Sequence, residues 1–147
     1  MKEMRRLSHN VPARLVLTCA LLLGVHVAAA AQTAQVGREF KLKVGSVVTL
    51  DRGALRVRLV RVSSDSRCPL GVACVWAGNA ELLFEVGGSR RVGKRALRLN
   101  TNAGPERPGE GGYGHYTLKL TGLAPQPRSD RKIAPGAYVA TLLVTRE

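Results

Sequence analysis

The sequence is poor in the residues that most often carry catalysis or bind metals. Its 147 residues include three histidines and three cysteines, and only 4% of them are aromatic. Beyond residue 31 there remain one histidine, His115, and two cysteines, Cys68 and Cys74. A structural zinc site needs four Cys or His ligands close together. We therefore predict no metal site and no cofactor.

A catalytic arrangement of nucleophile, base and metal is also missing from the pattern. Histidine is the side chain most often used as a general acid or base, and His115, the only one beyond residue 31, has Glu110 as its only acidic neighbour in sequence. The carboxylates are scattered over turns and outer strand positions, so no pair of the glycosidase kind can be nominated. We predict a non-enzymatic protein with no catalytic residue, and keep an enzyme of unknown type as an alternative.

Long apolar runs are scarce, and the longest lies near the N-terminus. A basic start precedes the apolar run 15–27 and four alanines at 28–31. This order is typical of a secretory signal peptide, and the run is shorter than the roughly 20 residues of a membrane-spanning helix. We expect residues 1–31 to be a signal peptide, with cleavage one residue earlier as an alternative. Because Cys19 follows the basic start too closely to belong to a lipobox, we expect no lipid anchor.

The remaining residues, 32–147, are predicted to form one exported domain in the periplasm or outside the cell, with no transmembrane segment. Helical spacing of apolar residues is absent there, whereas apolar and polar residues alternate repeatedly. Alternating or β-rich runs lie at 40–44, 47–50, 54–62, 80–86, 97–99, 116–120 and 138–144. Turn residues separate them at intervals of about eight to twelve residues, which is typical of a sandwich or barrel. We predict an all-β fold, an antiparallel sandwich or small barrel of about seven strands.

The pattern also predicts a bulge and a hairpin. The alternation slips at Val60, which a β-bulge explains most simply. Segments 80–86 and 90–98 are predicted to form a hairpin in which Glu81 and Glu85 pair with cations of the other strand.

Composition predicts the structure of two further segments. Residues 100–114 contain five glycines and two prolines, so we predict a long loop without a helix or strand, either functional or disordered. The last run, 138–144, is almost wholly apolar, which predicts a central strand buried on both faces.

The two remaining cysteines predict a disulfide between Cys68 and Cys74, because an even count in an exported chain favours a covalent link. Redox motifs usually have two residues between the cysteines rather than five. If the chain is extended, Trp76 lies on the same side as Cys74, and we predict that it packs against the disulfide. Asp65 and Arg67 are predicted to brace this loop by charge-assisted hydrogen bonds.

An alternative for the same region is a recognition site. Arg67, Trp76 and Asn79 would form it, with an exposed tryptophan that stacks on a sugar or a base.

The residues around the two cysteines carry a family resemblance. Residues 65–69 read D-S-R-C-P, and after four residues the chain continues C-V-W-A-G-N-A at 74–80. This motif, with the endings at 116–120, 123–127 and 138–142, resembles an uncharacterised family of small secreted or lipid-anchored bacterial β proteins. The resemblance implies export and a β fold. It brings no activity, substrate or catalytic residue.

Acidic residues are few beside the basic ones, at 10 Asp+Glu against 23 Lys+Arg and a formal net charge of +13. This excess is compatible with anionic envelope polymers or lipid headgroups as partners. The densest group of cations gives the candidate anion-binding residues Arg90, Arg91, Lys94, Arg95 and Arg98.

Nucleic acid is not expected, because aromatic residues do not interleave with the basic ones. The sequence therefore predicts an exported, non-enzymatic cell-envelope protein that acts as a binding or structural module, with an envelope protein as another class of partner. A polyanion-binding protein that uses a basic strand face is the alternative.

Overall fold

The computed structural model describes residues 32–88 and 93–147. The predicted signal peptide and two of the candidate anion-binding residues, Arg90 and Arg91, lie outside the described residues.

The described chain consists of strands joined by tight turns and by longer connections, of which the longest follow β4 and β8. The strands are β1 Gln32–Thr33, β2 Glu39–Lys43, β3 Val47–Leu50, β4 Leu55–Asp65, β5 Ala80–Gly88, β6 Arg95–Asn100, β7 Glu110–Tyr113, β8 Tyr116–Ala124 and β9 Val139–Arg146. Two single 3-10 turns, Asp51–Gly53 and Pro135–Ala137, precede β4 and β9.

The strands form two sheets. The larger has the order β1-β3-β4-β5-β6, and the smaller has the order β2-β9-β8-β7. Every pair is antiparallel except β1 with β3, which is parallel over two residues. The predicted all-β fold is confirmed. Two short strands, β1 and β7, lie outside every run that the alternation identified.

One apolar core lies between the two sheets. Phe84 and Val57 of the larger sheet and Leu42 and Leu142 of the smaller are all 0% exposed. Because successive side chains of a strand point to opposite faces, the same strands present their polar residues to water. Burying both inner faces in one core makes the fold a sandwich.

The predicted irregularities of β4 and β5 are present. The register of β4 against β5 shifts between Leu59 and Arg61, which confirms the bulge at Val60. In the hairpin of β5 and β6, Arg98 binds Glu81 at 2.8 Å and Lys94 binds Glu85 at 3.0 Å. The predicted hairpin and its charge pairs are confirmed.

The prediction of a loop without strands over 100–114 is wrong. Strand β7 lies within it and pairs with β8, and Tyr113 at its end is 7% exposed. Gly111 suits this edge rather than disrupting it. A Cβ at Gly111 would approach the Leu97 side chain to 3.2 Å, so the missing side chain lets Leu97 pack against the strand.

The last strand is central, as predicted, because β9 lies between β2 and β8. The prediction that both of its faces are buried is wrong. Ala140, Leu142 and Val144 are 0% exposed, whereas Val139, Thr141 and Leu143 on the other face are half-buried. The outer face of an antiparallel sheet is not covered by a further layer, so apolar residues there remain partly open to water.

Candidate functional site

The candidate site is the connection between β4 and β5. Cys68 and Cys74 form the predicted disulfide, with their Cα atoms 6.0 Å apart. We call residues 68–76 the disulfide loop. At its base, the Ser66 amide donates to the Asn79 carbonyl at 2.7 Å, which brings the two ends of the connection together.

Gly78 makes this close approach possible. It has φ +67°, and a Cβ at this position would lie 1.9 Å from the Ser66 carbonyl oxygen. Glycine alone provides both the left-handed backbone and the space. The two ends of the connection are therefore fixed by a residue that tolerates no side chain.

The outer part of the disulfide loop is apolar and exposed. The exposed fractions are 53% for Leu70, 46% for Val72, 89% for Val75 and 82% for Trp76. From residue 69 to residue 79 the sequence has no charged side chain. The loop therefore presents four large apolar side chains to solvent without a charge among them. We call these four residues the apolar tip.

The prediction that Trp76 packs against the disulfide is wrong. It assumed an extended chain, in which Trp76 and Cys74 share one side. The chain instead bends at residues 75–76 and is not part of a strand there. The Trp76 side chain is largely exposed to solvent.

Arg67 and Asp65 brace the base of the disulfide loop. The Arg67 Nε and Nη2 atoms donate to the two carboxylate oxygens of Asp65 at 2.9 and 2.8 Å. Both side chains are only 9% exposed. The predicted charge-assisted hydrogen bonds are therefore present, and they form the bidentate geometry that is strongest for this pair.

Arg67 also fastens the loop to the segment after β8. Its Nη1 atom donates to the Leu123 carbonyl at 2.6 Å and to Gln126 Oε1 at 2.9 Å. Its Nη2 atom donates to the Pro125 carbonyl at 2.8 Å. One guanidinium thus joins the end of β4 in the larger sheet to the end of β8 in the smaller one.

Asn79 holds the other side of the loop base. Its Nδ2 atom donates to Asn100 Oδ1 at 2.8 Å, and its Oδ1 atom accepts the Asn102 amide at 3.0 Å. Of the three residues predicted as an alternative recognition site, Arg67 and Asn79 are engaged within the protein. Trp76 alone among them is largely exposed.

A shallow cleft of about 280 Å³ lies beside Trp76. Ala77, Gly78, Asn79 and Arg107 are among the residues that line it. The cleft joins the apolar tip to the turn that contains Arg107.

The pKa of Asp65 reflects its position at the loop base. Burial alone would raise this pKa, but the hydrogen bonds and the charge of Arg67 outweigh it, and Tyr138 donates a further hydrogen bond at 3.2 Å. The pKa of Asp65 therefore lies below its ordinary value. Burial, together with the Asp65 charge, raises the pKa of the Tyr138 phenol.

We expect stability to fall in acid. A carboxyl group whose pKa is lowered by folding stabilises the fold above its unfolded pKa of about 4, and this stabilisation is lost as the pH falls through the folded value. Urea unfolding at a series of pH values from neutral to about 2 should show a steadily falling free energy of unfolding below about pH 4. The variant Asp65→Asn should have a lower free energy of unfolding at neutral pH, and this free energy should depend less on pH. An equal pH dependence of the two proteins would contradict this role for Asp65.

The candidate anion-binding residues do not form one free cluster within the described chain. Lys94 and Arg98 are engaged with Glu85 and Glu81, and Arg95 donates to the Gly112 carbonyl at 3.2 Å. Their charges are therefore partly compensated.

A row of exposed arginines lies instead on β4. Arg56, Arg58 and Arg61 make no ion pair within residues 32–88 and 93–147. Arg56 and Arg58 line a surface hollow of about 280 Å³ with Lys94 and Glu85. The density of cations in the sequence indicates β6 rather than this row.

In the part of the chain that the structure describes, no three His, Cys, Asp or Glu residues lie together as candidate metal ligands. The described residues also include no helix with the length and apolar character needed to cross a membrane. No protein-family model, curated protein or solved structure matches the chain.

Proposed function

We propose that the chain is an exported, non-enzymatic binding module of the cell envelope that contacts its partner through the disulfide loop. The observation that carries this proposal is the exposure of Val75 and Trp76, at 89% and 82%, directly after the segment that the Cys68–Cys74 disulfide closes. Burying one large apolar side chain is worth about 1.5 to 3 kcal/mol, so leaving adjacent ones in water forgoes a large stabilisation. Contiguous exposed apolar residues of this kind mark interaction sites.

The rigidity of the loop base supports a binding role. The disulfide, the Arg67 hydrogen bonds and the Gly78 contact fix the loop before any partner arrives. A preorganised loop loses less conformational entropy on binding than a flexible one. Buried polar contacts at the base therefore hold an exposed apolar surface in place.

Export is supported by the signal-peptide pattern at 1–31 and by the disulfide, which persists in oxidising compartments. The resemblance to a family of small secreted or lipid-anchored proteins points the same way, and membership of that family is part of the proposal.

Sedimentation with native envelopes tests the binding role. The processed, oxidised protein is mixed with envelopes from cells that lack it, beside the variant Val75→Ser/Trp76→Ser. We expect the variant to bind about tenfold more weakly or worse, because two exposed apolar contacts are lost. The control Thr33→Ser/Gln35→Ser changes two exposed, uncharged residues of the N-terminal region and should bind like the unchanged protein.

Equal binding of the tip variant and the unchanged protein would contradict the proposal. Such binding, if it also fell steeply with added salt, would favour the second candidate function, a polyanion-binding protein. The observation behind that candidate is the arginine row of β4, which makes no ion pair with the described residues, and Arg56→Gln/Arg58→Gln should then weaken binding.

A further inference from the structure

We infer that the partner of the disulfide loop is an anionic lipid bilayer, on which the loop docks with Trp76 at the level of the headgroups. This inference rests on the proposed function, because it names the partner of the same surface. It follows from the separation of apolar and cationic side chains on the loop and on the segment beside it.

The apolar tip has the composition of an interfacial anchor. Leu70, Val72 and Val75 carry no polar atom in their side chains, and the indole of Trp76 has one polar end. Tryptophan is enriched where membrane hydrocarbon meets water because its ring is apolar and its N–H can stay hydrated. Four such side chains on the disulfide loop can enter the headgroup region without carrying a charge into it.

The cations lie beside the tip rather than within it. The Leu70 amide donates to the Pro127 carbonyl at 2.8 Å, so the loop lies against the segment 127–132. This segment, which we call the basic flank, contains the exposed cations Arg128, Arg131 and Lys132. Asp130 lies within 4 Å of both arginines and offsets one charge, which leaves a formal charge of three minus one, or +2.

A further cation lies near Trp76. Arg107 lines the cleft next to Trp76, with the exposed Glu106 as its neighbour in sequence. Apolar side chains at the tip and cations at its sides match the order of layers in a bilayer, where the hydrocarbon boundary lies beneath anionic headgroups.

The size of the surface favours a bilayer over a folded protein. A stable protein interface covers about 800 Å² on each partner and carries several direct hydrogen bonds. A loop of nine residues with four apolar side chains is small for that purpose, whereas shallow insertion needs only a few apolar contacts and nearby cations.

Trp76 is the only tryptophan of the chain, so its fluorescence reports on the loop directly. The processed, oxidised protein is titrated with vesicles of phosphatidylcholine alone and of phosphatidylcholine mixed with phosphatidylglycerol. We expect a blue shift of the emission only with the anionic vesicles. Lipids brominated near the start of the acyl chain should then quench the emission more than lipids brominated near its end.

Charge variants locate the binding surface. Each cation close to an anionic membrane strengthens binding by about fivefold, so Arg131→Gln/Lys132→Gln should weaken it by about 25-fold. The matched control Arg56→Gln/Arg58→Gln removes the same charge from β4, at positions that precede its end at Asp65 by about 20 to 30 Å of extended strand. Because that distance exceeds the Debye length, the control should bind within about threefold of the unchanged protein.

The outcomes separate this inference from the proposed function. If Val75→Ser/Trp76→Ser loses both vesicle binding and envelope binding, the proposed function and the lipid partner are both supported. If the apolar tip binds envelopes but vesicles do not shift the Trp76 emission, the partner is not a lipid bilayer. The partner is then a protein or a polysaccharide of the envelope. The lipid partner is also overturned if vesicles bind without changing the emission of Trp76, or if both lipid compositions bind equally well. Equal weakening of vesicle binding by the two pairs of charge substitutions overturns it too.

Discussion

Replacement of Arg67 by methionine is expected to lower the free energy of unfolding by about 3 to 5 kcal/mol. The methionine keeps much of the apolar stem but removes every donor of the guanidinium. The Asp65 carboxylate, 9% exposed, would then lack its counter-charge. The carbonyls of Leu123 and Pro125 would lose the donors that join the two sheets at this end.

Urea unfolding at neutral pH measures this loss. The matched control is Arg128→Met, because Arg128 also pairs with an aspartate two residues away but is 54% exposed. Exposed pairs contribute about 0.2 to 1 kcal/mol, so the control should be close to the unchanged protein. The loss of unfolding free energy in Arg67→Lys should lie between those of Arg67→Met and Arg128→Met, because an ammonium group cannot reproduce the planar, bidentate contact. Equal losses for Arg67→Met and Arg128→Met would contradict the structural role of Arg67.

Replacement of Gly78 by alanine is expected to cost about 3 kcal/mol, from roughly 1 for alanine in the left-handed region and roughly 2 for displacing backbone atoms. The new Cβ would lie 1.9 Å from the Ser66 carbonyl oxygen and 2.9 Å from the Arg67 Cα. These are backbone atoms, which cannot move aside as a flexible side chain can. The substitution should therefore separate the two ends of the connection.

Gly71 provides the control for Gly78→Ala within the same loop. It has φ +78°, and a Cβ there would meet nothing within 4 Å. Gly71→Ala should therefore lower the free energy of unfolding by only roughly 1 kcal/mol, which is the cost of placing alanine in the left-handed backbone region. Urea unfolding of both variants measures the difference. Similar losses would show that crowding against Ser66 does not matter.

Most strands could be predicted because alternation is a direct consequence of sheet geometry. Leu55, Val57 and Leu59 face the core while Arg56 and Arg58 face water, and this pattern is visible in the sequence. The bulge at Val60 was visible for the same reason, since a single extra residue shifts the alternation. Strand β7 was not visible, because two of its four residues are glycines and its pairing with β8 decides its structure.

The candidate site was only partly predictable. Asp65 and Arg67 are two residues apart, so their pairing follows from local spacing. The carbonyl partners of Arg67 lie 56 and 58 residues away in sequence, and no local pattern indicates them. The exposure of Trp76 depends on one bend after Cys74, and apolar residues beside a disulfide fit a packed loop as well as an exposed one.

The central claim is that the disulfide loop holds its apolar side chains in water until a partner covers them. The most direct test is acrylamide quenching of Trp76 fluorescence in the processed, oxidised protein without any ligand. We predict emission at the wavelength of tryptophan in water and strong quenching, in accordance with a side chain that is 82% exposed. Blue-shifted emission with weak quenching would show that Trp76 is buried in the free protein, and would contradict the claim.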